Sequence, residues 1–319
     1  MAMLTDRLTA AWNALPAPSR SVLRRSGIPY VGSYLASYRA RYGPERFAGT
    51  LPALVDEYHR STGPAREVLA WRFHDVLDSL VLPNGVRKTT WPRRHQHAVE
   101  AFLARADRPP DGTPLRVLDL PCSSGAASRD TRALLERCYG IRTWVLADLC
   151  MEVRLDADRG CVYDAAGELL QVRTRRGFFA VHRPHAGGDA FSALSALALL
   201  PFTARSAYLR RRHRLLPDRP LVPLRLLHPD VDAEVKTGRF TAREMDVFRM
   251  EDAGEFDLVV SFNLLQRSYF TEPEIERGLQ SLTGAMAEGG FLLWGNTESF
   301  GIARKTEGRL QTLQQDGNW

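Results

Sequence analysis

Two carboxylates and a run of small residues are the groups in this chain best placed to do chemistry. Asp119 sits in an apolar run, Val117-Leu118-Asp119-Leu120, followed at once by Pro121-Cys122-Ser123-Ser124-Gly125. Small side chains in a tight turn let a ligand approach the backbone, and a helix starting behind them offers free N–H groups. Asp148 closes a second apolar run, Thr143-Trp144-Val145-Leu146-Ala147-Asp148, about 23 residues beyond Gly125. At that separation a carboxylate meets the ribose hydroxyls of a nucleotide-like cofactor bound at the strand ends of a doubly wound sheet. An ordinary strand-to-helix turn is the alternative for the first stretch taken alone.

These groups need a sheet to hold them. Residues 117–120, 143–148, 240–248, 256–263 and 291–295 read as its successive strands, the third being Phe240 to Phe248. Asn263 ends the fourth and faces the crevice, because ligands bind at the carboxyl ends of parallel strands. Pro273 opens an amphipathic helix over Glu274 to Glu288, and Gly289-Gly290 turns the chain into the fifth strand. Phe300 to Lys305 and Arg309 to Leu313, joined by Thr306-Glu307-Gly308, predict an antiparallel hairpin at the sheet edge.

Ahead of the first strand, Trp91-Pro92 predicts a helix ending near Ala106 and carrying Arg93, Arg94, His95, His97 and Phe102. His95 and His97 are two apart and share no helix face, which argues against a joint metal site. One of them as a base at the cleft, or a solvent-exposed or capping histidine, are the alternatives. Residues 1–90 read as helical throughout, with Leu51 to Thr62 and Pro64 to Leu82 as two amphipathic helices and a break at Pro83-Asn84-Gly85. The aromatic stripe Tyr30, Tyr34, Tyr38, Tyr42 reads as helix packing.

Between the second and third strands a doubly wound fold needs only a helix and short loops, yet residues 150–235 intervene. Gly160 to Val181 alternates as a β-hairpin with a further strand at Phe178 to Val181. Ala190 to Phe202 is apolar and leads into Arg205 and Arg210-Arg211-Arg212-His213-Arg214, but is too short to span a bilayer. A lid over an apolar substrate, a packing helix and a membrane-surface segment are its open readings. Without aromatics interleaved in the basic run, nucleic acid is not the expected partner.

The chain has 319 residues, a net charge of +6, and 44% hydrophobic content, enough for a buried core. Only Lys88, Lys236 and Lys305 are lysines, an arginine bias that points to a GC-rich bacterial genome as the expected source. Four cysteines, Cys122, Cys138, Cys150 and Cys161, show no metal spacing, and without a secretory segment the expected compartment is the cytoplasm. No serine elbow, P-loop or zinc pattern supports a hydrolase or kinase.

VLDLPCSSG, ADL, FDLVVSFNLL and EGGFLLWGN, in that order, resemble the successive motifs of class I S-adenosylmethionine (SAM) dependent methyltransferases, over roughly residues 92 to 319. The resemblance implies a Rossmann-like doubly wound α/β sheet over 91–319, a helical cap or substrate domain over 1–90, and an insertion at 150–235 between strands 2 and 3. It also implies SAM as cofactor, with S-adenosylhomocysteine as product. Its cofactor set would be Asp119, Pro121, Cys122, Ser123, Gly125, Asp148, Leu149, Asp246, Val247, Asn263 and Leu264. Gly125 and Ser123 would lie at the methionine portion, Asp119 near its ammonium, Asp148 on the ribose, Asp246 and Val247 at the adenine, and Asn263 at the rim. His95, His97 or Tyr269 would assist a phenol or amine acceptor, with Arg267 as a substrate contact; a carboxylate acceptor needs no base.

Cys122-Ser123-Ser124-Gly125 and Trp294-Gly295-Asn296-Thr297-Glu298-Ser299 are similar to segments of chemotaxis-receptor glutamate methyltransferases. Ala126-Ala127 stands where those enzymes carry two glutamates, so the cofactor chemistry transfers and the substrate does not. The expected activity is methyl transfer to an O or N of a small-molecule acceptor, a homodimer being compatible with it. The alternatives are a SAM-fold binding module without turnover and a methyltransferase acting on a membrane-associated or protein carboxylate acceptor.

Overall fold

A computed structural model of the chain describes residues 43–82, 88, 92–175, 177–181, 204–216, 218–251, 253–266, 270–296 and 299–317. Its helices are α1 (Leu51–Arg60), α2 (Gly63–Ser79), α3 (Gln96–Leu103), α4 (Ala126–Leu135), α5 (Pro229–Lys236) and α6 (Glu272–Ala285). The strands are β1 (Pro114–Asp119), β2 (Gly140–Asp148), β3 (Glu152–Asp156), β4 (Cys161–Tyr163), β5 (Leu169–Thr174) and β6 (Gly177–Ala180). They continue with β7 (Val222–Arg225), β8 (Thr241–Glu244), β9 (Phe256–Phe262), β10 (Met286–Gly295), β11 (Phe300–Thr306) and β12 (Arg309–Asp316). Two units share these elements, each assembled from separate stretches. One takes the described residues up to Leu54, a segment from Asp75, and Val153–Leu224. The other takes Val55–His74, Lys88–Glu152 and the chain from Arg225.

The second of these units holds a seven-stranded sheet in the order β12-β11-β10-β9-β1-β2-β8. The run from β8 to β10 is parallel, and β11 and β12 close the far edge as an antiparallel hairpin. This is the Rossmann-like, doubly wound arrangement expected from the motifs. Its central strands read as nearly continuous apolar runs because both faces are covered. Leu115, Val117, Trp144, Leu146, Leu258, Val260, Phe291 and Leu293 point to one core, shared with Val99 and Phe102 of α3, Leu135 of α4 and Val231 of α5. Their alternating neighbours Leu118, Ala147, Val259 and Leu292 point to the other, where Ile275 and Leu282 of α6 pack. From β1 the chain moves outward through β2 to β8, then returns to the opposite side of β1 as β9. The strand order therefore reverses at β1, opening a crevice beyond the carboxyl ends of β1 and its neighbours.

A second sheet, ordered β6-β5-β4-β3-β7, fills the stretch between β2 and α5. β3 through β6 form an antiparallel meander. Its core gathers Cys161, Tyr163, Leu169, Val172 and Val181, with Leu209 and Leu215 against them. The same unit ties this sheet to N-terminal residues through a buried amide. Gln171 Oε1 accepts from Ala48 N–H at 3.0 Å, while its Nε2 donates to the carbonyl and hydroxyl of Ser79 at 3.1 and 2.9 Å.

Local chemistry explains where these elements depart from expectation. The helix expected from Trp91-Pro92 starts only at Gln96, since Arg93 adopts a left-handed φ of 60° and its N–H donates to Asp130 Oδ2 at 2.7 Å. It ends at Leu103, ahead of Ala106. The third strand spans only Thr241–Glu244, because Asp246 Oδ1 accepts from Phe248 N–H at 3.0 Å and folds the chain into a turn. The helix α6 ends at Ala285 and the fifth strand begins at Met286, before the double glycine; a register shift between Met286 and Phe291 absorbs Gly289-Gly290. At the other end of α6, Thr271 and Glu274 form a capping box around Pro273. The strands β3 and β7 had no clear signal in the sequence.

Among the described residues no helix is long and apolar enough to cross a membrane. The tyrosine stripe at 30–42, the apolar run at 190–202, Arg267 and Tyr269 lie outside the described residues.

Candidate cofactor site

The turn after β1 is laced to both neighbouring strands. Leu120 N–H donates to the Val260 carbonyl of β9 at 2.9 Å, and Cys122 N–H to the Ala147 carbonyl of β2 at 2.8 Å. Half-buried Pro121 lies between them. Ser123 (φ 54°) and Gly125 (φ 75°) take left-handed conformations, so the backbone doubles back and Gly125 N–H reaches the Cys122 carbonyl at 2.8 Å. Gly125 is then the N-cap of α4. The start of α5 closes on the same turn: His228 N–H donates to the Ser124 carbonyl at 2.8 Å, and a Cβ on Gly125 would stand 2.7 Å from Val231 Cγ1. What approaches this glycine closely is therefore a protein side chain.

Asp148, at the end of β2, bonds directly to the turn. Its Oδ2 accepts from Ser123 N–H at 2.9 Å and its Oδ1 from Cys150 N–H at 3.3 Å. The ammonium of Lys88 lies 3.0 Å from the same Oδ2 and donates to the Ser123 carbonyl at 3.3 Å. Both side chains are almost wholly buried, at 1% and 6% exposure. Thus the turn and the carboxylate are side by side, and an ammonium of the protein occupies the carboxylate.

Asp119 is the opposite case. It is fully buried, and neither carboxyl oxygen has a hydrogen-bond partner among the described residues. The buried hydroxyls of Ser123 and Ser128 are likewise unpartnered. Burial pushes the Asp119 carboxyl up to about 7; the Ser128 side chain opposes the rise, and the nearby charge of Asp148 adds to it. A buried acid without partners costs free energy, and a polar ligand or water relieves it.

Around this centre the other sequence candidates fall into place unevenly. Asp246 spends one oxygen on Phe248 N–H, and Val247 is buried in the core beneath it. The Asp246 segment joins the site through Met245 N–H, which donates to the Asp148 carbonyl at 2.9 Å. Leu149 is exposed, at 42%. Asn263 takes a left-handed φ of 58° and its N–H donates to the Gly295 carbonyl at 2.7 Å; Leu264 is half-buried beside it. The His95 ring stacks on Phe262, centroids 4.2 Å apart, at the carboxyl end of β9. Burial, with the charge of Arg94, holds this imidazole down at about 3, and its Nδ1 has no partner among the described residues. His97 is exposed on α3, whereas His95 lies just ahead of that helix as its N-cap.

Two features escaped the sequence reading. Lys88 had one signal, its rarity: it is one of three lysines in an arginine-rich chain. The second is a cluster on α1, α2, α4 and α5, where Asp230 accepts from Tyr58 Oη at 2.9 Å, Arg66 at 2.5 Å and Arg129 at 2.7 Å. Beside it the rings of His74 and His228 stack 5.6 Å apart. Nothing in the local sequence marks that cluster, because its members come from four separate helices.

Fold and site together define a Rossmann-like sheet with an acid-flanked turn at its switch point. No protein-family model matches the chain, and no curated protein matches it. Solved structures resemble it, several of them SAM-dependent methyltransferases. The N-methyltransferase NodS from Bradyrhizobium japonicum WM9, in complex with S-adenosylhomocysteine, is 13% identical over 77% of this chain and 71% of its own, with a TM-score of 0.29. The 1,6-didemethyltoxoflavin-N1-methyltransferase of Burkholderia thailandensis is 12% identical over 69% of this chain and 60% of its own, at a TM-score of 0.30. The cyclase SpnF is 12% identical over 63% of this chain, at a TM-score of 0.27. The matched part spans about half the length of some of these solved chains, 43% for SpnF.

Proposed function

We propose that this chain is a SAM-dependent methyltransferase of class I that moves a methyl group to an O or N of a small-molecule acceptor. The observation that carries the reading is Asp119. A buried carboxyl without a hydrogen-bond partner among the described residues stands at the switch point, beside a turn with left-handed residues and the hydroxyls of Ser123 and Ser128, which likewise have none among those residues. These groups fit the amino-acid end of SAM, whose ammonium would supply the missing donors. The ribose end fits only where Lys88 gives up Asp148, since both carboxylate oxygens are engaged within the chain.

SAM, when bound, brings an activated methyl group on sulfur, so the protein's task is alignment and exclusion of water. In this reading Asp119 and the turn hold the amino-acid portion, Asp246 and Val247 border the adenine, and Asn263 forms the rim. His95 is held neutral near pH 7 and is a weak base, so proton removal from an acceptor would fall to another group or to none. Calorimetric titration of the full chain with SAM and with S-adenosylhomocysteine tests the reading. Saturable binding of both, weakened by Asp119→Ala, is the expected result; binding of neither ends it.

The Lys88–Asp148 pair favours a second reading, a SAM-fold module that binds without turnover. Transfer of a labelled methyl group from bound SAM to any member of an acceptor panel rejects it.

A further inference from the structure

We infer that Lys88 is a displaceable plug on the ribose-facing carboxylate, so that an adenosyl ligand binds this chain only by evicting the protein's own ammonium. The inference rests on the SAM reading of the site and assigns to it a residue that competes with the ligand.

A carboxylate offers about four lone-pair directions. Three on Asp148 are already taken: Ser123 N–H at 2.9 Å and Lys88 Nζ at 3.0 Å on Oδ2, and Cys150 N–H at 3.3 Å on Oδ1. A ribose diol donates two hydrogen bonds and finds about one direction open. Two of the three occupants are backbone amides, fixed by the turn and by the end of β2. Lys88 is the occupant that can leave while both stay. It does not leave freely, because its side chain is 1% exposed and its second bond, to the Ser123 carbonyl at 3.3 Å, ties it to the turn. Separating a buried pair leaves two desolvated charges to be satisfied anew. The ligand must offset that cost, so apparent affinity is reduced by the fraction of molecules in which Asp148 is free. Lys88 and the sulfonium of SAM also carry the same charge, and in a buried site like charges repel strongly.

The test uses full-length wild type, Lys88→Met and Lys88→Gln, with S-adenosylhomocysteine as the probe. Lys88→Met should bind it about tenfold or more tightly by calorimetry. Without ligand this variant should melt below wild type, its carboxylate now buried without a counter-charge, and it should gain more in melting temperature on saturation. Lys88→Gln, which can still donate to Asp148, should fall between the two and serves if the methionine variant does not fold. Equal binding by wild type and a folded variant overturns the plug and leaves the cofactor reading standing. Weaker binding by a folded variant also overturns it, making Lys88 a ligand contact. Absence of binding in every form overturns the plug and the cofactor reading together.

Discussion

Val231 closes over Gly125: a Cβ on that glycine would lie 2.7 Å from Val231 Cγ1, where the backbone also holds a left-handed φ of 75°. The contact locks α5 onto the turn that precedes α4, and so fixes one wall of the switch-point crevice. Gly125→Ala therefore meets two penalties. Left-handed backbone costs alanine about 1–2 kcal/mol, and overpacking adds about 1–3 kcal/mol. Denaturant unfolding should show a combined loss of about 3 kcal/mol. In a Val231→Ala background the cost of the same substitution should shrink to the backbone part, about 1–2 kcal/mol. An unchanged cost there would mean the valine is not what excludes the side chain.

Asp119 should make stability fall as pH rises. Its folded carboxyl titrates at about 7, above the unfolded value of 3.8, so between those values the folded state binds the extra proton. The contribution is fully present below about pH 4 and is lost as pH climbs through 7. Relative to Asp119→Asn, wild type should lose about 2 kcal/mol or more between pH 5 and pH 7. Denaturant midpoints of both proteins at the two pH values give the difference directly. A ligand that supplies an ammonium to this carboxyl should abolish the effect.

His95 works with the opposite sign. Its folded imidazole is held at about 3 by burial and Arg94, so between there and 6.5 the unfolded chain binds the extra proton. Stability from this group is complete above pH 6.5 and drains as pH falls toward 3. His95→Phe retains an aromatic ring against Phe262 and removes the titration. Acidification from pH 7 to pH 5 should cost wild type about 2 kcal/mol more than this variant. By NMR the His95 ring should show no titration between pH 5 and 8, and a pH–rate profile should carry no inflection from it.

The Asp230 cluster should matter to folding of its unit. Three donors converge on one carboxylate that is 19% exposed, from Tyr58 on α1, Arg66 on α2 and Arg129 on α4. Asp230→Ala takes this acceptor from Arg66 and the Tyr58 hydroxyl, while Arg129 keeps Glu234 at 2.7 Å, so the cost should be about 2 kcal/mol. Tyr58→Phe removes one hydrogen bond and should cost about 1 kcal/mol. The two losses should be less than additive in a double-mutant cycle, since one bond is counted in both.

The seven-stranded sheet was legible in the sequence to the extent that its signals are local. Two-sided burial writes itself as continuous apolar runs at 117–120, 143–148 and 256–262, and all three became strands of the parallel sheet. The hairpin at 300–316 announced itself through alternation around Glu307-Gly308, both of which take left-handed backbone angles. Where a single side chain ended an element, legibility failed. Asp246 cut the third strand short and Arg93 delayed α3, each through one hydrogen bond to a group the local pattern does not name. β3 was missed because Glu152–Asp156 is only five residues long and follows directly on the acid that closes β2.

By itself the sequence determined the small-residue turn, the acid before it, the acid that closes the next strand, and the order of the motifs. Each depends on residues adjacent in the chain or spaced by one strand and one helix. Only the tertiary structure decided which partners those groups meet. Lys88 reaches Asp148, Val231 reaches Gly125 and His95 stacks on Phe262 because the sheet brings together segments far apart in the chain. Such pairings leave no periodicity, since they are fixed by packing and burial at a distance. Asp119 shows the division most plainly: its place within an apolar run was visible, while its lack of a hydrogen-bond partner among the described residues became apparent only in the folded chain.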